Sequence, residues 1–256
     1  MKLTFLGTGS AFTIGGNWQS NLFLEDKAGN RLLIDAGSDV RHAMYEQGLF
    51  YKDFCGPKNG IYLSHCHGDH SQGLEYFGFT SMFDPTVEKP NLYLSKSLVQ
   101  QVWENGLQAA MGSIQGDIVN LHSYFNVHPV EANGSFSWSG VEFRLVQTVH
   151  IMNGFAIVPS FGLLFTLGKT KIFFTGDTQF APNQIFDFYK MADIIFHDCE
   201  TSPFKSGVHA NYVDLKTLPE EVKAKMWLYH YQPGQLPDAK ADGFLGFVEK
   251  GQSFTF

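Results

Sequence analysis

The segment His65-Cys66-His67-Gly68-Asp69-His70 constrains this chain more than any other, because four potential metal ligands fall within six residues directly after the apolar run Ile61-Tyr62-Leu63. Imidazole nitrogen and carboxylate oxygen suit a zinc-like ion, and a catalytic site keeps one coordination position open for water or substrate. Alternate side chains of an extended segment share a face, so His65 and His67 can reach one ion. Once the chain turns at Gly68, Asp69 and His70 can face a second.

Three more candidates lie where apolar strands end. His150 closes Phe143-Arg144-Leu145-Val146-Gln147-Thr148-Val149, Asp177 follows Ile172-Phe173-Phe174-Thr175-Gly176, and His230 follows Trp227-Leu228-Tyr229. Groups at strand ends sit on one rim of a rigid sheet, where distant segments converge. A lone histidine carries little weight, but the repeated placement does.

Composition bounds the rest. With 256 residues, 44% hydrophobic and 15% aromatic, the chain can build a large core, and no linker marks a boundary, so one domain over 1–256 is expected. A net charge of −7 without a Lys/Arg run disfavours a long polyanion as partner. The amino-terminal apolar stretch breaks at Gly7-Thr8-Gly9-Ser10, which argues against a signal peptide. No stretch reaches the roughly 20 apolar residues of a membrane span. Cys55, Cys66 and Cys199 are too few for a disulfide framework and fit a reducing cytoplasm. Strand alternation points Cys66 away from His65 and His67, as a small buried side chain.

Short apolar runs alternate with glycine-punctuated turns. Strands are expected at Lys2–Leu6, Ser20–Glu25, Arg31–Ile34, Val141–Thr148, Gly162–Leu167, Lys171–Phe174, Ile194–Phe196 and Met226–Tyr229. Helices are expected from Asp39 to Gln47, Ser71 to Phe79 and Ser97 to Ala110. Residues 111–136 are weakly patterned, and Met152 to Phe161 reads as a loop that could gate a site. No internal repeat is visible. Gly7-Thr8-Gly9-Ser10-Ala11-Phe12 lacks the third glycine of a dinucleotide fingerprint, so it reads as a tight turn beneath the metal site. Asn17, Gln19 and Ser20 could line the pocket or serve in turn hydrogen bonds.

The whole pattern resembles the metallo-β-lactamase superfamily, whose His-x-His-x-Asp-His motif falls on His65, His67, Asp69 and His70, with later ligands at His150, Asp177 and His230. The resemblance implies an α/β fold of four αββα layers. It also implies two divalent metal ions, zinc by default with manganese or iron as alternatives. On it, His65, His67 and His150 hold one ion, Asp69, His70 and His230 hold the other, and Asp177 bridges them. Water trapped between two cations becomes a hydroxide nucleophile near neutral pH.

Within the superfamily, Leu6-Gly7-Thr8-Gly9-Ser10-Ala11, Ile195-Phe196-His197-Asp198-Cys199-Glu200 and Gly207-Val208-His209-Ala210 resemble the ribonuclease Z-like phosphodiesterases. Their His-Glu-Ala-Thr segment and Gly-His-Ser motif occupy the last two places, and here Asp198 replaces the glutamate. The resemblance makes Asp69, His209 and Asp198 the catalytic set: Asp69 is also a ligand, His209 contacts the scissile phosphate or protonates the leaving oxygen, and Asp198 orients it. The long arm that ribonuclease Z uses for transfer RNA has no room in the 27 steps from His150 to Asp177. A small phosphodiester substrate fits better, and the resemblance extends to compact cyclic nucleotide phosphodiesterases, including the anti-Pycsar enzymes that open 3′,5′-cyclic nucleotides. Those relatives imply a homodimer whose second subunit can complete the pocket. Phe155, Phe161 or Phe180 would stack on a base.

The rival readings are a ribonuclease Z-like RNA nuclease, an acyl hydrolase acting on a lactam or thioester, and a noncatalytic binding module. Zinc β-lactamases usually carry cysteine where this chain has Asp177. A flavodi-iron oxidoreductase would need a glutamate at His67.

Overall fold

In the computed structural model, residues 1–14 and 16–256 are described, and two seven-stranded sheets dominate. In chain order the strands are β1 (Lys2–Phe5), β2 (Leu22–Glu25), β3 (Arg31–Ile34), β4 (Gly60–Leu63), β5 (Asn91–Ser95), β6 (Ser113–Ile114), β7 (Asp117–Ile118) and β8 (Asn126–Val130). They continue with β9 (Ser135–Trp138), β10 (Val141–Met152), β11 (Ile157–Leu167), β12 (Thr170–Phe174), β13 (Ile194–Asp198), β14 (Met226–Tyr229), β15 (Gly246–Phe247) and β16 (Ser253–Thr255). The first sheet has the order β16-β1-β2-β3-β4-β5-β8 and the second β15-β14-β13-β12-β11-β10-β9, while β6 and β7 form a separate hairpin.

Both sheets are built alike. In the first, β1, β2 and β3 are antiparallel neighbours and β3, β4, β5 and β8 run parallel. In the second, β10, β11 and β12 are antiparallel and β12, β13, β14 and β15 run parallel. Parallel strands share one C-terminal rim, and β10, two antiparallel steps from β12, ends on that rim too.

Strand alternation explains the four-layer αββα stack. On β12, Ile172 and Phe174 face the core between the sheets, whereas Phe173 joins Ile185, Tyr189, Leu215 and Val222 beneath the outer helices. A strand covered on both faces has to be apolar throughout, which is why β4 is buried at every position. Helices Val40–Glu46, Leu74–Phe83 and Lys96–Val102 close the other outer face through Val40, Met44, Leu74, Phe77 and Leu98. Between the sheets Phe5 meets Phe196 at a ring distance of 5.2 Å, and Tyr62 Oη donates to the Phe161 carbonyl at 2.9 Å.

Several local expectations are corrected. Met152 to Phe161 is not a loop: β10 and β11 run on as a hairpin, and Asn153 closes the turn by accepting the N–H groups of Phe155 and Ala156 on its side chain. The helix expected from Ser71 is broken, with a short turn at Gly68–Ser71 and a new helix at Leu74–Phe83. Gly73 lies at the break because its backbone presses against the preceding loop; a Cβ there would sit 2.4 Å from the Gly37 carbonyl oxygen. The helix expected over Ser97 to Ala110 contains a π turn at Trp103–Leu107. Strands β5, β8 and β9 are among the additions to the expected set, and Phe161 is buried rather than available to a base. All three cysteines are free, and Cys66 is half-buried. Among the described residues, no helix is long and apolar enough to cross a membrane.

Candidate active site

The rim gathers every predicted metal ligand together with Asp198. His65, His67, Asp69 and His70 follow β4, Asp177 follows β12, Asp198 ends β13 and His230 follows β14. His150 lies within β10 at a shift of register, where Val149 pairs with Pro159 and Ile151 with Val158. The extra residue of a bulge re-aims its side chain, and this one meets the β4 histidines. The glycine-rich opening supports His230 from below: the Thr8 carbonyl accepts the His230 N–H at 2.8 Å and the Tyr231 N–H at 3.2 Å. His230 itself sits at φ 64°, and Asp35 at φ 63°. Such left-handed backbone is uncommon outside glycine and is retained where packing enforces it.

Two overlapping clusters result, His65-His67-His150-Asp177 and Asp69-His70-Asp177-His230. In the first, His67 Nδ1 lies 3.1 Å from His65 Nε2 and 3.0 Å from His150 Nε2. In the second, Asp69 Oδ2 is 3.2 Å from both His70 Nε2 and His230 Nε2. Asp177 Oδ2 lies between the sets, 3.3 Å from His70, 3.5 Å from His230, 3.8 Å from His65 and 3.9 Å from His150.

Outer hydrogen bonds fix which nitrogen of His150 and of His70 faces inward. His150 Nδ1 donates to the Val208 carbonyl at 2.7 Å, and His70 Nδ1 to Asp35 Oδ2 at 2.8 Å. A neutral imidazole with Nδ1–H has a bare lone pair at Nε2. Those lone pairs meet other imidazole nitrogens and carboxylate oxygens, an arrangement that calls for positive charge at the centre. His70 Nε2 and Asp177 Oδ1 are buried without a hydrogen-bond partner. These orphaned atoms and the all-imidazole, carboxylate donor set fit divalent cations.

The electrostatics show how strongly the carboxylates draw positive charge to the centre, whether as a proton on an imidazole or as a cation. Burial opposes ionisation of Asp69 and Asp177, yet the surrounding imidazoles outweigh it and hold both carboxyls well below their usual range. Burial also disfavours imidazolium at His70 and His230, but Asp177 and its neighbouring carboxylates win, raising His70 well above its ordinary value and His230 to about 10. His65, His67 and His150 go the other way, pushed down chiefly by burial.

A third group, Asp177, Asp198, His209 and His230, abuts these. Asp198 Oδ2 accepts from His209 Nδ1 at 2.8 Å and from the Thr178 N–H at 2.9 Å. Burial lowers the His209 pKa, but Asp198 overrides it and the net shift is upward. With Nδ1 committed, Nε2 is the nitrogen His209 has to offer.

A cleft of about 470 Å³ opens over the rim and is lined by Phe12, Gln19, Ser38, His67, Asp69, Gln72, His150 and His209. Gln19 lines it while its Oε1 accepts from Ser38; Asn17 and Ser20 serve in turn hydrogen bonds to Thr8 and Gly9. The aromatic side chain of the cleft is Phe12, which is 90% exposed, rather than Phe155, Phe161 or Phe180. Sequence reasoning also missed Asp35. Its signal was present, an acid directly after the apolar strand β3, the same placement that singled out Asp177.

Comparison with known proteins agrees with this geometry. The family profile "Anti-Pycsar protein Apyc1" matches residues 1–254. The anti-Pycsar protein Apyc1 of Paenibacillus harenae is 34% identical over 236 residues, covering 90% of each chain. That of Bacillus phage 010DV004 is 29% identical over 267 residues, covering 99% of this chain and 98% of its own. Among solved structures, the metallo-β-lactamase fold protein YhfI of Bacillus subtilis superposes with a TM-score of 0.74 at 16% identity over 99% of each chain. The short form of human tRNase Z gives 0.69 at 18% identity over 100% of this chain and 99% of its own. These structural likenesses establish the metallo-β-lactamase fold, and with its profile match and relatives the chain belongs to the anti-Pycsar protein Apyc1 family, metal-dependent hydrolases.

Proposed function

We propose that this protein hydrolyses small phosphodiesters, 3′,5′-cyclic nucleotides above all, at a pair of divalent cations of which zinc is the first choice. His65, His67 and His150 would hold one cation and Asp69, His70 and His230 the other, with Asp177 shared. Bound there, the cations supply positive charge for the phosphoryl oxygens and lower the pKa of water.

The protein's own groups do the rest. The cleft admits a mononucleotide with its phosphate toward His67 and Asp69, and Phe12 offers a face for the base. As a hydroxide oxygen, left when a water gives up its proton to solvent, bonds to phosphorus and the P–O bond to the ribose oxygen breaks, the His209 imidazolium gives its Nε2 proton to that departing oxygen. Asp198 stabilises that imidazolium and fixes its orientation through Nδ1. The observation that carries this reading is the Asp198–His209 pair, 2.8 Å apart and directly beside both ligand clusters; acyl hydrolysis leaves it without a task.

Chain length supports a small substrate. Between His150 and Asp177 the hairpin and β12 take up nearly every residue, with turns only at 153–156 and 168–169, so no tRNA-binding arm is inserted there. The net charge of −7 also disfavours a large RNA. A homodimer belongs to this reading and is checked by sedimentation.

The test is turnover of a panel of 3′,5′-cyclic mononucleotides by metal-loaded protein, with Asp69→Ala as background and linear RNA alongside. Ring opening that Asp69→Ala abolishes is expected. Cleavage of RNA alone would install the nuclease reading, and inertness toward both would bring the acyl hydrolase and the noncatalytic module forward.

A further inference from the structure

The loop that joins Asp198 to His209 is mostly exposed, with Phe204 at 75%, yet it delivers two groups to the site. One is the Val208 carbonyl that accepts from His150 Nδ1 at 2.7 Å, and the other is the His209 imidazole. Little apolar packing holds such a segment, so its order must come from polar contacts.

Those contacts converge on Glu200. Its side chain is buried at 3% exposure, and both carboxylate oxygens accept the Ser206 N–H at 3.1 Å. Oε2 also accepts from Asn211 Nδ2 at 3.3 Å. The backbone closes the base of the loop, Glu200 N–H donating to the Ala210 carbonyl and Tyr212 N–H to the Glu200 carbonyl, each at 2.9 Å. Gly207, at φ 79°, makes the sharp turn that lets Ser206 face Glu200 while Val208 faces His150. Among the described residues, Glu200 lies outside all three ligand clusters.

We infer that Glu200 is a positioning residue for the proposed reaction, clamping the loop by its carboxylate so that His209 meets the leaving oxygen. The inference rests on the proposed role of His209. A carboxylate gripping a backbone N–H is a strong, directional hydrogen bond, and a loop released by about 1 Å misplaces a proton donor at a cost of about 10²-fold.

The test compares wild type, Glu200→Ala, Glu200→Gln, His209→Ala and the Glu200→Ala/His209→Ala double variant, metal-loaded, on two substrates. A 3′,5′-cyclic nucleotide expels an alkoxide that needs a proton, whereas bis-para-nitrophenyl phosphate expels a phenolate that does not. Glu200→Ala is expected to lose about 10²-fold in kcat on the first and little on the second. Glu200→Gln, whose remaining oxygen still accepts from Ser206, should recover most of the loss, and Glu200→Ala should add nothing once His209 is gone. In metal-free protein, amide exchange across 201–210 should accelerate in Glu200→Ala and stay slow in Glu200→Gln. Equal loss on both substrates, or unchanged exchange, overturns the inference. If His209→Ala itself fails to discriminate the substrates, the proposed role of His209 is at fault, and the exchange experiment alone decides whether Glu200 clamps the loop.

Discussion

Asp35 accepts the Nδ1–H of His70 at 2.8 Å, with both side chains sealed from solvent. The same carboxylate takes the Ser64 N–H at 2.8 Å and the Ser64 hydroxyl at 2.7 Å, and Ser64 Oγ lies 3.0 Å from His65 Nδ1. One acid thus orients a histidine of each cluster, directly and through a serine. Asp35→Asn suits the left-handed backbone but puts an amide where His70 needs an acceptor. It should weaken metal retention by about 10- to 100-fold, the usual cost of losing such a partner. Competition with a chromogenic chelator measures this, and wild-type affinity would exclude the role.

Gly37 is where the loop after β3 touches the metal motif. A Cβ there would lie 2.2 Å from the Asp69 carbonyl oxygen and 2.6 Å from Gln19 Oε1. Gly37→Ala should therefore push the Asp69 segment outward, destabilising the fold by about 1–3 kcal/mol and weakening metal retention. Thermal unfolding and metal titration check both effects, and a variant as stable as wild type would show that the two loops separate freely.

Tyr62 spans the two sheets through its bond to the Phe161 carbonyl. Tyr62→Phe keeps the packing and removes that bond, so a loss of about 1 kcal/mol is expected in urea unfolding. An unshifted midpoint would mean that this bond does not tie the sheets.

Asp26 gives a pH dependence far from the metal site. Burial tends to raise its pKa, but donors from Ser139, Asn30 and Ala28 outweigh it and hold the carboxyl down at about 2. Because the folded value lies below the unfolded one, its contribution is complete above about pH 4 and is lost as pH falls through about 2. Asp26→Asn should be less stable than wild type at neutral pH and equal to it near pH 2. A stability gap independent of pH would show that the carboxylate charge is not responsible.

Removing metal should lower the melting temperature, since ligands that bind the folded state stabilise it by mass action. Calorimetry with and without chelator, followed by zinc add-back, reads this directly. A midpoint insensitive to zinc would contradict cations held by the two clusters.

Local order along the chain already specified the motif at His65 to His70, the acid after β12, the histidine after β14, and the apolar strands between them. These are legible because strand ends and ligand chemistry are written in adjacent residues. The contribution of His150 depended on a bulge set by its pairing with β11, which no local pattern encodes. The hairpin beyond it reads as a loop in sequence because Gly, Asn and Pro mask extended structure that pairing enforces. Phe12 became the aromatic wall of the cleft, and Phe161 a core residue, only once the sheets stacked. Asp35 and Glu200 have the same lesson. Their residue types are plain in the sequence, but each acquires its partners, His70 in one case and the Ser206 N–H in the other, from chain segments that only the folded backbone brings within hydrogen-bond range.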